Sequence, residues 1–206
     1  MTHGFIDGYT GRMSQPSLRD RKRSLLQAEI TEIALRLFRE RGYAETTVDD
    51  LAEAAGMSRR TFFRYFPSKD DVIAGKWTAM GEGIITALQE RPADEDPWTS
   101  LRASMGGIVE HYADPERRRD SYALDEVVDA TPSLRAAFVA KVDVLAEAVA
   151  AVLGARGVEE VRAQVLARAC AGALMVAMRR ARLAGAEGIA ADLDRAMGVL
   201  TPSHES

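Results

Sequence analysis

The sequence holds a single cysteine and three histidines in 206 residues. Cys170 cannot form an intrachain disulfide, and within Arg168-Ala-Cys-Ala-Gly172 it reads as a packed thiol rather than a nucleophile. His3, His111 and His204 stand too far apart for metal-ligand spacing, and there is no glycine-rich phosphate loop. No metal or cofactor is expected, and an enzymatic reading is left without support. No apolar run approaches the length of a bilayer span and the first residues lack signal-peptide organisation, so a cytoplasmic location without a membrane partner is expected. No alternating strand pattern occurs anywhere, which points to an all-α fold.

What the sequence does have is a hydrophobic content of 47% and a charged content of 28%, ordinary for a globular protein with a full core. The net charge of −4 argues against nucleic acid, but the sign is unevenly spread. Arg12 to Lys69 carries 12 Lys and Arg against 8 Asp and Glu, and the rest carries 15 against 23. A basic head is joined to an acidic body, which suits a nucleic-acid-reading module attached to something else.

Residues 1–17, with Gly4, Gly8, Gly11 and Pro16, read as a flexible arm. Leu26, Ile30, Ile33 and Leu37 then recur at helical spacing from Ser17 to Arg41, and Gly42 ends that helix. Thr46 to Gly56 opens on a hydroxyl cap and closes on glycine, and Ser58 caps a further short helix, Arg59 to about Tyr65, that Pro67 stops. Two short helices around a glycine turn are the helix-turn-helix pattern. Ser68 caps the next helix, with Ile73, Trp77, Met80, Ile84 and Leu88 on its apolar stripe. Five more helices are expected over Pro97–Tyr112, Pro115–Asp129, Ser133–Leu153, Val158–Leu183 and Ile189–Leu200, making about nine. The expected division is an arm (1–17), a three-helix head (18–67), a larger helical body (68–200) and a tail (201–206).

From Phe38 to Val72 the sequence resembles the TetR family of repressors. The residues that carry the likeness are Phe38, Gly42-Tyr43, Thr46-Thr-Val48, Leu51-Ala52, Ala55-Gly-Met-Ser58, Thr61, Phe63, Tyr65-Phe66, Ser68-Lys69 and Val72. The body is similar only in helix number and length. Phe63 stands where the family often has a tyrosine, so a phosphate hydrogen bond commonly made there is lost. Arg59 to Phe66 also looks like a subgroup of actinobacterial regulators, some of which respond to acyl-coenzyme A-like ligands.

The resemblance implies a transcription regulator, not an enzyme: a homodimeric repressor that leaves double-stranded, pseudo-palindromic operator DNA when a small effector binds. Near the start of a reading helix, Arg59 and Arg60 can each offer two parallel donors to guanine, while Ser58, Thr61 and Phe63 lie within reach of base edges or backbone. An isolated arginine pair is ordinarily a solvated face, and it is the surrounding motif that turns the reading toward DNA. For phosphate contacts the resemblance points to Thr46, Thr47, Tyr65 and Lys69, although helix capping alone also explains both threonines. A helical interaction module that had lost DNA binding would have an eroded reading helix, and Arg59, Arg60 and Lys69 argue against that.

In the family the last two long helices pair with those of a second subunit. Ala169, Ala173, Val176 and Ala177, with Leu193 and Met197, are the interface candidates, though a monomer would bury the same residues internally. The resemblance also implies an effector cavity. Trp77, Met80, Trp98, Met105, Tyr112, Tyr122, Phe138, Met175 and Met178 are large enough to line it, and plain core packing explains them equally. A hydrophobic or acyl-CoA-like effector is expected, with His111 and Arg117 to Arg119 available to an acidic group, although a plain surface position explains them equally.

Overall fold

In a computed structural model, residues 18–184 and 188–199 are described. The arm at 1–17, the tail at 201–206 and Leu200 lie outside them. The described residues form ten helices and no strand: α1 Leu18–Arg41, α2 Val48–Ala54, α3 Arg59–Tyr65, α4 Lys69–Gln89, α5 Pro97–Ser104, α6 Gly106–Ala113, α7 Pro115–Ala130, α8 Pro132–Ala155, α9 Glu160–Ala184 and α10 Ile189–Gly198.

Capping chemistry sets most of these starts. Thr47 Oγ1 accepts from the Asp50 amide at 3.1 Å while Asp50 accepts from the Thr47 amide at 2.8 Å, a reciprocal capping box. Ser58 accepts from the Thr61 amide at 3.1 Å and Ser68 from that of Asp71 at 3.2 Å. Asp96, Asp114 and Glu159 accept from first-turn amides of α5, α7 and α9. Gly42 (φ +88°) and Gly56 (φ +63°) adopt the left-handed conformation that closes α1 and turns the chain from α2 into α3. The single helix expected over Pro97–Tyr112 is two, because Met105 ends α5 and Gly106-Gly107, poor helix formers, restart the chain as α6.

The chain packs as two units. One comprises the described residues up to Met80 with Arg119–Lys141, and the other comprises Gly81–Arg118 with the described residues from Val142 onward. The first has a core of Ile30, Ala34, Phe38, Leu51, Phe62, Phe66, Val72 and Ile73, joined by Leu124, Val128 and Leu134 from α7 and α8. Packing therefore does not break at residue 67, where the head was expected to end. Within the same unit Lys76 is largely buried and donates to Ser121 Oγ at 3.1 Å, and burial pulls its pKa below the usual lysine value against the nearby carboxylates of Asp125, Glu32 and Asp120.

In the second unit α9 buries Ala163, Ala167, Cys170, Ala173, Ala177 and Ala181, with α10 packed along it through Ile189, Leu193 and Met197. Trp98 Nε1 donates to the Met197 carbonyl at 3.3 Å, and Arg102 pairs with Asp194. Burial pushes the Cys170 thiol up to about 12, which fits a packed, unreactive group. By length and composition α9 would pass for a membrane span, contrary to the expectation that no run comes near. One of its faces is spent on the core of this unit.

Candidate nucleic-acid interface

Phe62 of α3 and Phe66, the residue that caps its end, are buried, which turns Arg59, Arg60, Phe63 and Arg64 outward. Residues four apart share a helix face, so Arg59 lies over Phe63 and Arg60 beside Arg64. Phe63 is 40% exposed, a large apolar side chain on an otherwise basic surface. Seven residues give α3 about 10 Å of length, enough to present one and a half to two turns to a groove.

The structure holds the expected base readers in different ways. Arg59 Nη1 donates to Asp49 Oδ2 on α2 at 2.9 Å, and its guanidinium lies 5.5 Å from the Phe63 ring centre. Arg60 is exposed and has neither hydrogen bond nor ion pair among the described residues. Thr61 is partly covered, its hydroxyl 2.9 Å from that of Ser58, so both are engaged in the cap of α3. Arg64 was not among the expected contacts; it reaches outward and stacks 5.3 Å from the Tyr65 ring centre.

The phosphate candidates divide more sharply. Thr46 is only 1% exposed and donates its hydroxyl to the Gly42 carbonyl at 2.7 Å, so its side chain is a buried strut rather than a surface contact. Thr47 is exposed, but its hydroxyl donates to Asp50 Oδ2 at 2.5 Å as part of the capping box. Those bonds hold the Asp50 carboxyl below its ordinary pKa, and a phosphate at this helix start would meet that carboxylate. Tyr65 is half-buried. Lys69 Nζ donates to the Tyr43 and Thr46 carbonyls at 2.6 and 3.1 Å, which leaves one of three N–H groups for an anion. Next to it, Tyr43 donates to Asp70, whose second oxygen accepts from Ser133 Oγ at 3.1 Å. Burial, then the Asp70 contact, raises the Tyr43 phenol above its usual pKa.

The interface candidates are corrected by burial. Ala173, Ala177, Leu193 and Met197 face the interior of their own unit and Ala169 is partly covered, while only Val176 is exposed. Other apolar side chains on α9 are open instead: Val161, Val165, Met175 and Leu183. The effector candidates fall into both units. Trp77 and Phe138 fill each other's space edge-on at 4.9 Å, and Met80 and Tyr122 belong to the same unit. Trp98, Met105, Tyr112, Met175 and Met178 belong to the other, with Met105 and Tyr112 buried and Met175 exposed. None of them lines the open groove of about 710 Å³ between α8 and α9, whose walls include Glu147, Ala150, Gly154, Ala163 and Arg168.

Described residues that are all helical, with a short helix that turns three arginines outward behind a glycine turn, have the helix-turn-helix arrangement. Residues 30–74 match the profile of the bacterial regulatory proteins of the tetR family. The helix-turn-helix head is therefore similar to that of the TetR family. It is 32% identical to the HTH-type transcriptional regulator TcmR of Streptomyces glaucescens over 145 residues, 68% of this chain and 64% of TcmR. It is 38% identical to the HTH-type transcriptional regulator EthR of Mycobacterium tuberculosis over 104 residues, 49% of this chain and 46% of EthR. These matches thus span less than two thirds of either relative. Among solved structures it is similar to Thermus thermophilus FadR, a TetR-family transcriptional repressor in complex with lauroyl-CoA. That likeness has a TM-score of 0.60 at 26% identity, over 84% of this chain and 92% of FadR.

Proposed function

We propose that the chain is a cytoplasmic transcriptional repressor that holds pseudo-palindromic operator DNA as a homodimer and leaves it when a small effector binds. The observation that carries this reading is the outward face of α3, where Arg59, Arg60, Phe63 and Arg64 sit on a head matched to the TetR profile. Arginine donors suit guanine edges, and Phe63 suits a thymine methyl. The role needs no catalytic chemistry.

For the second subunit we assign the exposed stripe Val161, Val165, Gly172, Val176 and Leu183, which recur at four and seven residues along α9. A two-fold site requires two reading helices held about one helical turn apart. For the effector, a hydrophobic or acyl-CoA-like molecule is supported by the lauroyl-CoA bound to Thermus thermophilus FadR. The test is a gel-shift titration against DNA flanking the protein's own gene, with mixed-sequence competitor and then with lauroyl-CoA. Retention that survives competitor and is lost to the thioester is the expected result. Equal binding to unrelated duplexes overturns the regulator, and retention untouched by acyl thioesters overturns this effector class.

A further inference from the structure

Arg59 and Arg60 leave the same turn of α3, yet only Arg59 is clamped. Its Nη1 is engaged by Asp49 of α2 at 2.9 Å, and its guanidinium lies against Phe63. Phe63 itself meets the fully buried Phe62 edge-on at 6.1 Å, so the stack Arg59–Phe63–Phe62 is anchored in the core. We infer that Asp49 is a specificity-determining positioning residue, which presets Arg59 for one base pair of each half-site and keeps it from the phosphates. This rests on the reading above that α3 enters the major groove.

The donor count supports the assignment. Guanidinium has five N–H donors in a fixed fork, and Nη1 held by a carboxylate still leaves the Nε–Nη2 edge, whose parallel donors match O6 and N7 of guanine. An unclamped arginine beside DNA falls readily onto the nearest phosphate, a contact that carries no sequence information. Moving Arg59 there would forfeit both the Asp49 pair and the Phe63 face. Both members of the ion pair are more than half exposed, so it adds little to folding stability, and its consequence lies in recognition. Asp49 also places a negative charge near the duplex, which weakens binding to every sequence alike. Its removal should therefore strengthen binding and blunt selectivity together.

The experiment selects duplexes from a random pool with the full chain, then measures affinities for the winner and its single-base variants. Asp49→Asn is compared with Glu53→Gln, which removes the same charge four residues along the same face of α2, and with Arg59→Ala. Asp49→Asn should flatten preference by about threefold to tenfold at one position per half-site, a fraction of what a good bidentate pair provides. Arg59→Ala should flatten that same position. Glu53→Gln should raise non-specific affinity as Asp49→Asn does and leave every base preference intact. Unchanged preferences in Asp49→Asn, or equal flattening in Glu53→Gln, overturn the inference while the regulator stands. A wild-type pool that enriches no sequence overturns both.

Discussion

Lys69 Nζ stands 3.9 Å from the ring centre of Tyr43 and donates to that residue's own carbonyl at 2.6 Å. The ammonium bolts the turn between α1 and α2 to the start of α4, and with its remaining donor it can also meet a phosphate. Lys69→Ala should therefore do two things. Thermal unfolding should show a loss of about 1.5–3 kcal/mol, the range for hydrogen bonds to a charged group. A salt titration of DNA binding should show weaker affinity for all sequences, with a slope shallower by about one unit. An unchanged melt would contradict the bolt, and a change in preference at one base would contradict the phosphate role.

Arg60 is the unclamped member of the pair. Arg60→Ala should cost about 1–3 kcal/mol of affinity for the best operator, measured by fluorescence anisotropy, and leave circular dichroism unchanged. Full affinity in the variant would remove Arg60 from base reading.

Two neighbouring residues on α9 separate dimerisation from folding. Val176 is exposed and Ala177 is buried, so Val176→Asp should give a folded monomer in sedimentation with operator affinity lost, because two linked reading helices bind far better than one. Ala177→Asp places an unpaired charge in the core and should fail to fold. A parent and a Val176→Asp variant that sediment alike would contradict the interface.

Glu95 accepts from Arg91 and from Ser100 Oγ, at 2.6 Å, and these bonds, the Arg91 pair foremost, hold its carboxyl at about 2 against an ordinary 4.5. A carboxyl depressed in the folded state stabilises above its unfolded value and loses that contribution as pH falls through the folded one. The melting temperature of the parent should exceed that of Glu95→Gln above about 4.5, and the gap should close on the way down to about 2. A gap that stays constant through that window would contradict the assignment.

The helix starts were legible because Thr47, Ser58 and Ser68 cap their own chains within three residues, and local chemistry is what a sequence displays best. The Asp49–Arg59 pair was not legible, since ten residues and a turn separate its members and nothing local marks them. Thr46 looked like Thr47 in sequence, yet one hydroxyl turns to Gly42 inside and the other caps α2 outside. On alanine-rich α9 helical spacing offers several small-residue stripes without saying which one α10 covers, so nothing in the sequence marks Ala173 and Ala177 as buried in their own unit. Large side chains such as Trp77 and Trp98 were grouped by size as one cavity lining, whereas each packs within its own unit.

The central claim, a two-fold grip on a specific DNA sequence through α3, is tested most directly by hydroxyl-radical footprinting on the duplex that the full chain selects. Two protected patches are expected on one face of the duplex, about one helical turn of 34–36 Å apart, both weakened together in Arg60→Ala at a concentration that only just saturates the parent. Uniform protection of any duplex, or a single patch unaffected by that substitution, would contradict it.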